Sequence, residues 1–150
     1  MSDPLYAQEV ALREAVLLGP IGMDMAALEA EFPGYERRFE HFVAVLDHPS
    51  GPRVVGCVTL LADHPVPGTG KLMQMCVDRQ RQGEGIGRRL VAALERRAFG
   101  ELGLTGLYCH AQLPACGFYE KLGWSYEGDV FDEGGVPHRK MSFRPDPDGV

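Results

Sequence analysis

Residues 73–90, MQMCVDRQRQGEGIGRRL, constrain the fold of this chain more than any other stretch. The nearly unbroken apolar run KLMQMCVD at 71–78 has the character of a central strand covered on both faces. It runs into a loop holding Gly83, Gly85 and Gly87, and that loop opens directly onto an amphipathic helix over 86–99. Ile86, Leu90, Ala93, Leu94 and Ala98 share one helix face, while Arg88, Arg89, Glu95 and Arg96 point away. Glycines in such a loop let backbone N–H groups approach an anion closely. The unpaired amides and dipole of the helix N-terminus then favour phosphate, and a pyrophosphate suits the site.

Spacing separates this loop from two other phosphate loops. A P-loop requires GK[ST] after its fourth spacer residue, and none occurs here. A dinucleotide fingerprint requires GxGxxG, but Arg88 stands where the third glycine belongs after Gly83 and Gly85. The strand before the loop also comes mid-chain after a hairpin, unlike the strand that opens a dinucleotide unit.

The flanking segments predict a mixed α/β (α+β) architecture. Residues 5–18 read as a helix, entered at a proline and left at Gly19-Pro20, and a short helix near 25–32 follows. Arg13 falls between Tyr6, Leu12 and Val16 on the wheel, so the first helix is expected to look into a groove as well as a core. Two β-rich runs, about 41–46 and 53–61, form an antiparallel hairpin. GLYCH at 106–110 reads as a buried strand, and PACGFYEKLGW as a helix with Pro114 in its first turn and Gly123 as its stop. Two further strands around Gly134-Gly135 close the chain, and the last residues, PDPDGV, are expected to fray. This order implies a mixed sheet with helices on its faces, and 150 residues fit one domain.

Composition enters mainly by exclusion. No run approaches the roughly 20 apolar residues of a membrane helix, and the N-terminus lacks the basic start and apolar block of a secretory signal. Cytoplasmic residence is the resulting expectation. Cys57, Cys76, Cys109 and Cys116 contain no CxxC or CxxH pair, so neither a metal cluster nor a disulfide framework is expected. A net charge of −6 disfavours nucleic acid and anionic membrane as partners. The charge is uneven: 71–97 carries seven basic and three acidic residues. That asymmetry is compatible with an anionic small ligand and equally with a solvated arginine-rich helix face.

With Gln82, Gly85 and Gly87 the loop reads Q-x-x-G-x-G. In the context LMQMCVDRQRQGEGIGRRLVAALERRA it resembles the acyl-CoA loop of the GNAT superfamily of N-acetyltransferases. CHAQLPACGFYEKLGW is similar to a later segment of the same family, and FDEGGVPHRKMSF resembles the closing strands of an uncharacterised subgroup. Together these cover about half of the chain, from Leu72 to Phe143, in family order.

The resemblance implies a GNAT-like mixed, mostly antiparallel central sheet flanked by helices, with acetyl-CoA as co-substrate and an amine as acceptor. The amides of Met75, Cys76 and Val77 would then pair with the pantetheine arm, and those of Gln82, Gly83, Glu84, Gly85, Ile86, Gly87 and Arg88 would hold the pyrophosphate. Gln112 stands where many members place an asparagine that contacts pantetheine. Tyr119 matches the tyrosine that protonates the departing thiolate in many members; its other reading is a core residue completing the Ala115, Phe118, Leu122 stripe. No metal is implied, and homodimers are common in the family.

No family position identifies the base that must deprotonate the amine. His110, Glu133, His138 and His41 are candidates by residue type, with His110 and Glu133 first, although such residues at strand ends usually cap or pair. Cys116 raises a covalent route, without a neighbouring cation in sequence to lower its pKa. Direct transfer to an amine is the leading expectation. The alternative is a catalytically inactive acyl-CoA-binding module.

Overall fold

The computed structural model describes residues 3–145, so the expected fraying of PDPDGV lies, apart from Pro145, outside the described residues. Helix α1 (Pro4–Arg13) starts where Asp3 accepts a 2.8 Å hydrogen bond from the Leu5 amide, and proline in the first turn costs no helical hydrogen bond. The helix continues as a π-helical segment over Glu14–Leu18. Next come α2 (Met25–Glu31), capped by Asp24, and α3 (Tyr35–Arg38).

The six strands are β1 (Phe39–Leu46), β2 (Arg53–Leu61), β3 (Thr69–Val77), β4 (Gly106–Gln112), β5 (Ser125–Glu133) and β6 (Val136–Phe143). They form one sheet in the order β1-β2-β3-β4-β6-β5. All neighbours run antiparallel except β3 and β4, whose crossover contains α4 (Ile86–Glu95) and a π-helical extension over Arg96–Glu101. Helix α5 (Leu113–Lys121) joins β4 to β5. This is the mixed sheet expected from the residue patterns, mostly antiparallel as the family resemblance implies.

Leu90 and Leu94 of α4 and Tyr119 of α5 share one buried cluster with Val58, Leu60, Leu72, Leu107 and Met141 of the sheet, and Trp124 closes it. Burying each such side chain contributes about 1.5–3 kcal/mol. The layer is tight: a Cβ on Gly70 would stand 2.8 Å from both Leu60 and Leu104.

The first helix corrects one expectation. Arg13 does not look into a groove; it is wholly buried. Its guanidinium grips Glu36 at 2.6 and 2.9 Å and Glu9 at 3.1 Å, Tyr6 donates to Glu36 at 2.9 Å, and His41 Nδ1 lies 2.8 Å from Glu9. A buried guanidinium is tolerable only with such partners. Among the described residues, Glu9, Glu36 and His41 are the one trio with ligand atoms close enough for a metal ion, and Arg13 already supplies positive charge to both carboxylates. Among the described residues no helix is long and apolar enough to cross a membrane.

The feature that positions the site is an interrupted ladder. β3 and β4 pair at Thr69–Gly106, Gly70–Leu107 and Lys71–Tyr108, and no further. Beyond Lys71, β3 keeps only β2; beyond Tyr108, β4 keeps only β6 as far as Gln112–His138. Two parallel strands therefore diverge in the middle of the sheet.

Candidate active site

The diverging strands leave main-chain groups without a ladder partner on one side of β3. Their directions follow from the register. The Asp78 amide donates to Val55 O at 2.7 Å, so it faces β2. Amides alternate along a strand, which turns Cys76 toward β2 and Val77 toward the gap. Cys76 pairs with Cys57 and Val77 with Gly56 in the same ladder. Of the three amides singled out in the sequence, Val77 thus stands on the open side and Cys76 does not, while Met75 falls in the register slip between Cys57–Cys76 and Thr59–Met73, where alternation is interrupted.

The end of β3 is tied to the loop by a side chain: Gln82 Nε2 donates to Val77 O at 3.2 Å. The three loop glycines then do different things. Gly83 and Gly85 have φ of 87° and 82°, a left-handed backbone that costs other residues about 1–2 kcal/mol. Gly85 is the N-cap of α4, and no side chain caps this helix, so its first amides are free of side-chain partners. Glu84 and Arg88 are exposed, and Arg81 makes an exposed ion pair with Glu84 at 3.6 Å. Ile86 is buried and anchors the first turn of α4 in the core.

Gly87 has a packing role that its spacing did not show. A Cβ there would lie 3.2 Å from the Phe118 ring of α5 and 3.5 Å from Met75 Cε. Gly87→Ala is expected to cost about 1–3 kcal/mol through overpacking. Urea denaturation checks this: the midpoint should fall with no change in slope.

Tyr119, in α5, belongs to the buried cluster and is 5% exposed. Its ring packs against Phe118 and Trp124 at 5.0 and 5.2 Å. Burial pushes its phenol pKa well above the ordinary value, and the Cys109 and Cys116 thiols add to that. Cys109 follows Tyr108, where the β3–β4 ladder stops, and burial pushes its thiol up to about 12. Cys116 is also buried, and burial raises its pKa, which opposes the thiolate that a covalent route needs. Gln112 is exposed and makes no capping hydrogen bond to α5.

His110 and Glu133, nominated separately from the sequence, are in contact. His110 Nδ1 lies 3.0 Å from Glu133 Oε1, and Phe131 sets its ring edge-on to the imidazole at 5.0 Å. Glu133 ends β5 at the Gly134-Gly135 turn, and its other oxygen lies 3.6 Å from His138 Nε2. His138 is buried, with Nδ1 bonded to Val136 O at 2.7 Å. Burial lowers the His110 pKa; Glu133 works against that shift, and Lys71 adds to it. His41 differs. Burial would lower its pKa, but hydrogen bonding and the charges of Glu9 and Glu36 outweigh that and leave it raised, inside the Arg13 cluster and away from His110.

A model described as the acetyltransferase (GNAT) family matches residues 12–124. A Bacillus subtilis protein named as a candidate acetyltransferase is 38% identical over 78 residues, 52% of this chain and 52% of that one. The chain spans about half the length of the curated relatives it matches. A Lactobacillus plantarum protein, solved as a candidate N-acetyltransferase, superposes with a TM-score of 0.75 at 28% identity over 95% of this chain and 92% of that one. An aminoglycoside 6'-N-acetyltransferase solved with coenzyme A has the same fold, with a TM-score of 0.75 at 19% identity over 97% and 95% of the two chains.

Proposed function

Because the chain belongs to the acetyltransferase (GNAT) family, we propose that it transfers an acetyl group from acetyl-CoA directly to an amine. The observation that carries this reading is the β3–β4 ladder that stops at Lys71 and Tyr108 beside the uncapped N-terminus of α4. An extended pantetheine arm can complete the open edge from the Val77 amide past Met75. The diphosphate then meets the amides of residues 82–88, and Gln112 borders the same cleft. Coenzyme A in the aminoglycoside acetyltransferase of like fold supports this choice of donor.

The residues around the gap divide the proton transfers. With Nδ1–H donated to Glu133, His110 keeps a lone pair on Nε2 to take the proton of the attacking amine. The amine nitrogen forms a bond to the thioester carbon, and the C–S bond breaks as the tetrahedral adduct collapses. Tyr119 gives its proton to the departing thiolate. Water then reprotonates the phenolate and relieves His110.

The lowered His110 pKa has a pH consequence. A base must be unprotonated, so kcat/KM should rise with pH through a pKa below the ordinary 6.5. Glu133 raises that pKa, so Glu133→Gln should move the limb to still lower pH. The same change should reduce kcat roughly tenfold, less than the 10²–10⁴ a general base itself contributes. Free-thiol release from acetyl-CoA across amines, polyamines, amino acids and peptides tests the reaction, and no release with any of them sinks it.

A further inference from the structure

We infer that Lys71 is a self-acetylation site: its side-chain nitrogen, at the closed end of the β3–β4 gap, takes the acetyl group from the donor bound to the same chain. This rests on the acetyl-transfer reading above and adds to it a covalent modification of the protein itself.

The register places this lysine. Lys71 and Tyr108 form the last rung of the β3–β4 ladder, where the gap closes. A pantetheine arm whose diphosphate sits on residues 82–88 enters the gap from the Val77 end, so its thioester end points toward that rung. The stretch of β3 from Val77 back to Lys71 is roughly 20 Å long, an extended path for the arm. Partners on one rung share a face of the sheet, and Lys71 Nζ lies 5.9 Å from the centroid of the Tyr108 ring. His110, two residues further along β4, falls on that face too, with its ring 5.8 Å from that of Tyr108. The lysine nitrogen and the proton acceptor assigned above therefore border the same end of the gap.

The surroundings favour the nucleophilic form of this amine. Lys71 is half-buried, and burial lowers its pKa against the charge of Glu133 and the Cys109 thiol. Glu133 is held instead by His110 at 3.0 Å and by His138 at 3.6 Å, and among the described residues no carboxylate pairs with Lys71. The chain has two other lysines, Lys121 and Lys140. Lys140 pairs with Glu127 at 3.3 Å, and Lys121 is exposed at the end of α5. Burial, pairing and place together single out Lys71.

The transfer balances without a further reactant. The neutral Nζ forms a bond to the thioester carbon, and the C–S bond breaks as the adduct collapses. The nitrogen gives one proton to His110, the departing thiolate takes one from Tyr119, and water restores both residues. Lysine and acetyl-CoA become an Nζ-acetylated lysine and coenzyme A. The product is an amide, which water does not readily cleave, so the acetyl group stays on the chain. It exchanges a cation facing Tyr108 for a neutral acetamide.

The test incubates the intact protein with acetyl-CoA and follows acetylation of Lys71, Lys121 and Lys140 by peptide mass spectrometry, with calorimetry reading acetyl-CoA binding. Lys71 should react at least about tenfold faster than either other lysine, as a nucleophile held beside the thioester does. Its rate constant should not change when the protein is diluted, and excess coenzyme A should slow Lys71 without slowing Lys121 and Lys140. Lys71→Arg keeps the cation, removes the nucleophile, and should bind acetyl-CoA without gaining the fast acetyl group. Acetyl-CoA binding with Lys71 no faster than Lys121 and Lys140 overturns the self-acetylation site and leaves the transfer reading standing. A Lys71 rate that falls with dilution overturns transfer within one chain. Absent acetyl-CoA binding overturns the transfer reading itself, and the modification that rests on it.

Discussion

Gly85→Glu is expected to abolish acetyl-CoA binding, by about 10³-fold or more, with little change in thermal stability. The space around Gly85 is open: a Cβ there finds only Arg88 Nη2, at 3.8 Å. The left-handed φ of 82° costs glutamate about 1–2 kcal/mol. A carboxylate at the helix N-terminus returns about 0.3–1 kcal/mol of that through the dipole. The fold therefore survives. The new carboxylate, however, lies where a diphosphate would meet the first amides of α4. Two like charges about 4 Å apart repel by about 4 kcal/mol near a protein surface, enough for the stated loss. Gly85→Ala keeps the strain and omits the charge, so its affinity should stay within about tenfold of wild type. Calorimetric titration with acetyl-CoA, paired with a thermal melt of each variant, reads both effects. Near-normal affinity in a folded Gly85→Glu protein would show that the diphosphate does not sit on this loop.

The elements were largely legible because local chemistry sets them. Pro4 and Asp3 start α1, glycine ends α5, apolar runs mark β1 to β4, and the Gly134-Gly135 turn marks β5 and β6. What escaped was short or hydrogen-bond-specific. The helix Tyr35–Arg38 is four residues long, too short for a periodic stripe, yet it supplies Glu36 to Arg13. The π-helical segments at Glu14–Leu18 and Arg96–Glu101 differ from α-helix in hydrogen-bond partner, which leaves no mark on the apolar pattern.

Within the candidate site, legibility followed sequence distance. The loop glycines were visible because a strand, a turn and a helix N-terminus are adjacent in the chain. Even there, spacing hides a second purpose of one glycine. Gly87 meets Phe118, a contact made only when α5 docks on α4. The contact between His110 and Glu133 spans 23 positions and depends on β5 folding back along β6. Neither residue alone carries a signal for it. The bulge at Gln74 is the least legible feature, since no glycine or proline marks it and the slip exists only relative to β2. The His110–Glu133 contact and the β3 bulge both arise from such long-range pairings, which a residue-by-residue reading cannot supply.

Tyr119→Phe should reduce kcat by about 10²–10⁴-fold, the range of a general acid, while the KM values for acetyl-CoA and amine change little. The ring is fixed by Phe118 and Trp124, and phenylalanine keeps both contacts. Stability should shift by no more than about 1 kcal/mol, the scale of one hydroxyl's net hydrogen bonding. The raised phenol pKa is no obstacle to proton donation. Burial disfavours the charged form of any acid, and a thiolate leaving into the same dry surroundings is a stronger base there than in water. A high pKa also means that Tyr119 holds its proton throughout the neutral range, so the donor is loaded at every turnover. The neighbouring Cys109 and Cys116 thiols are poorer substitutes, because sulfur offers a weaker hydrogen bond to the leaving group. Stopped-flow measurement of the single-turnover rate isolates the chemical step from product release. An unchanged rate in a folded Tyr119→Phe protein would return this tyrosine to the core stripe of Ala115, Phe118 and Leu122, and would leave solvent as the proton source for the leaving sulfur.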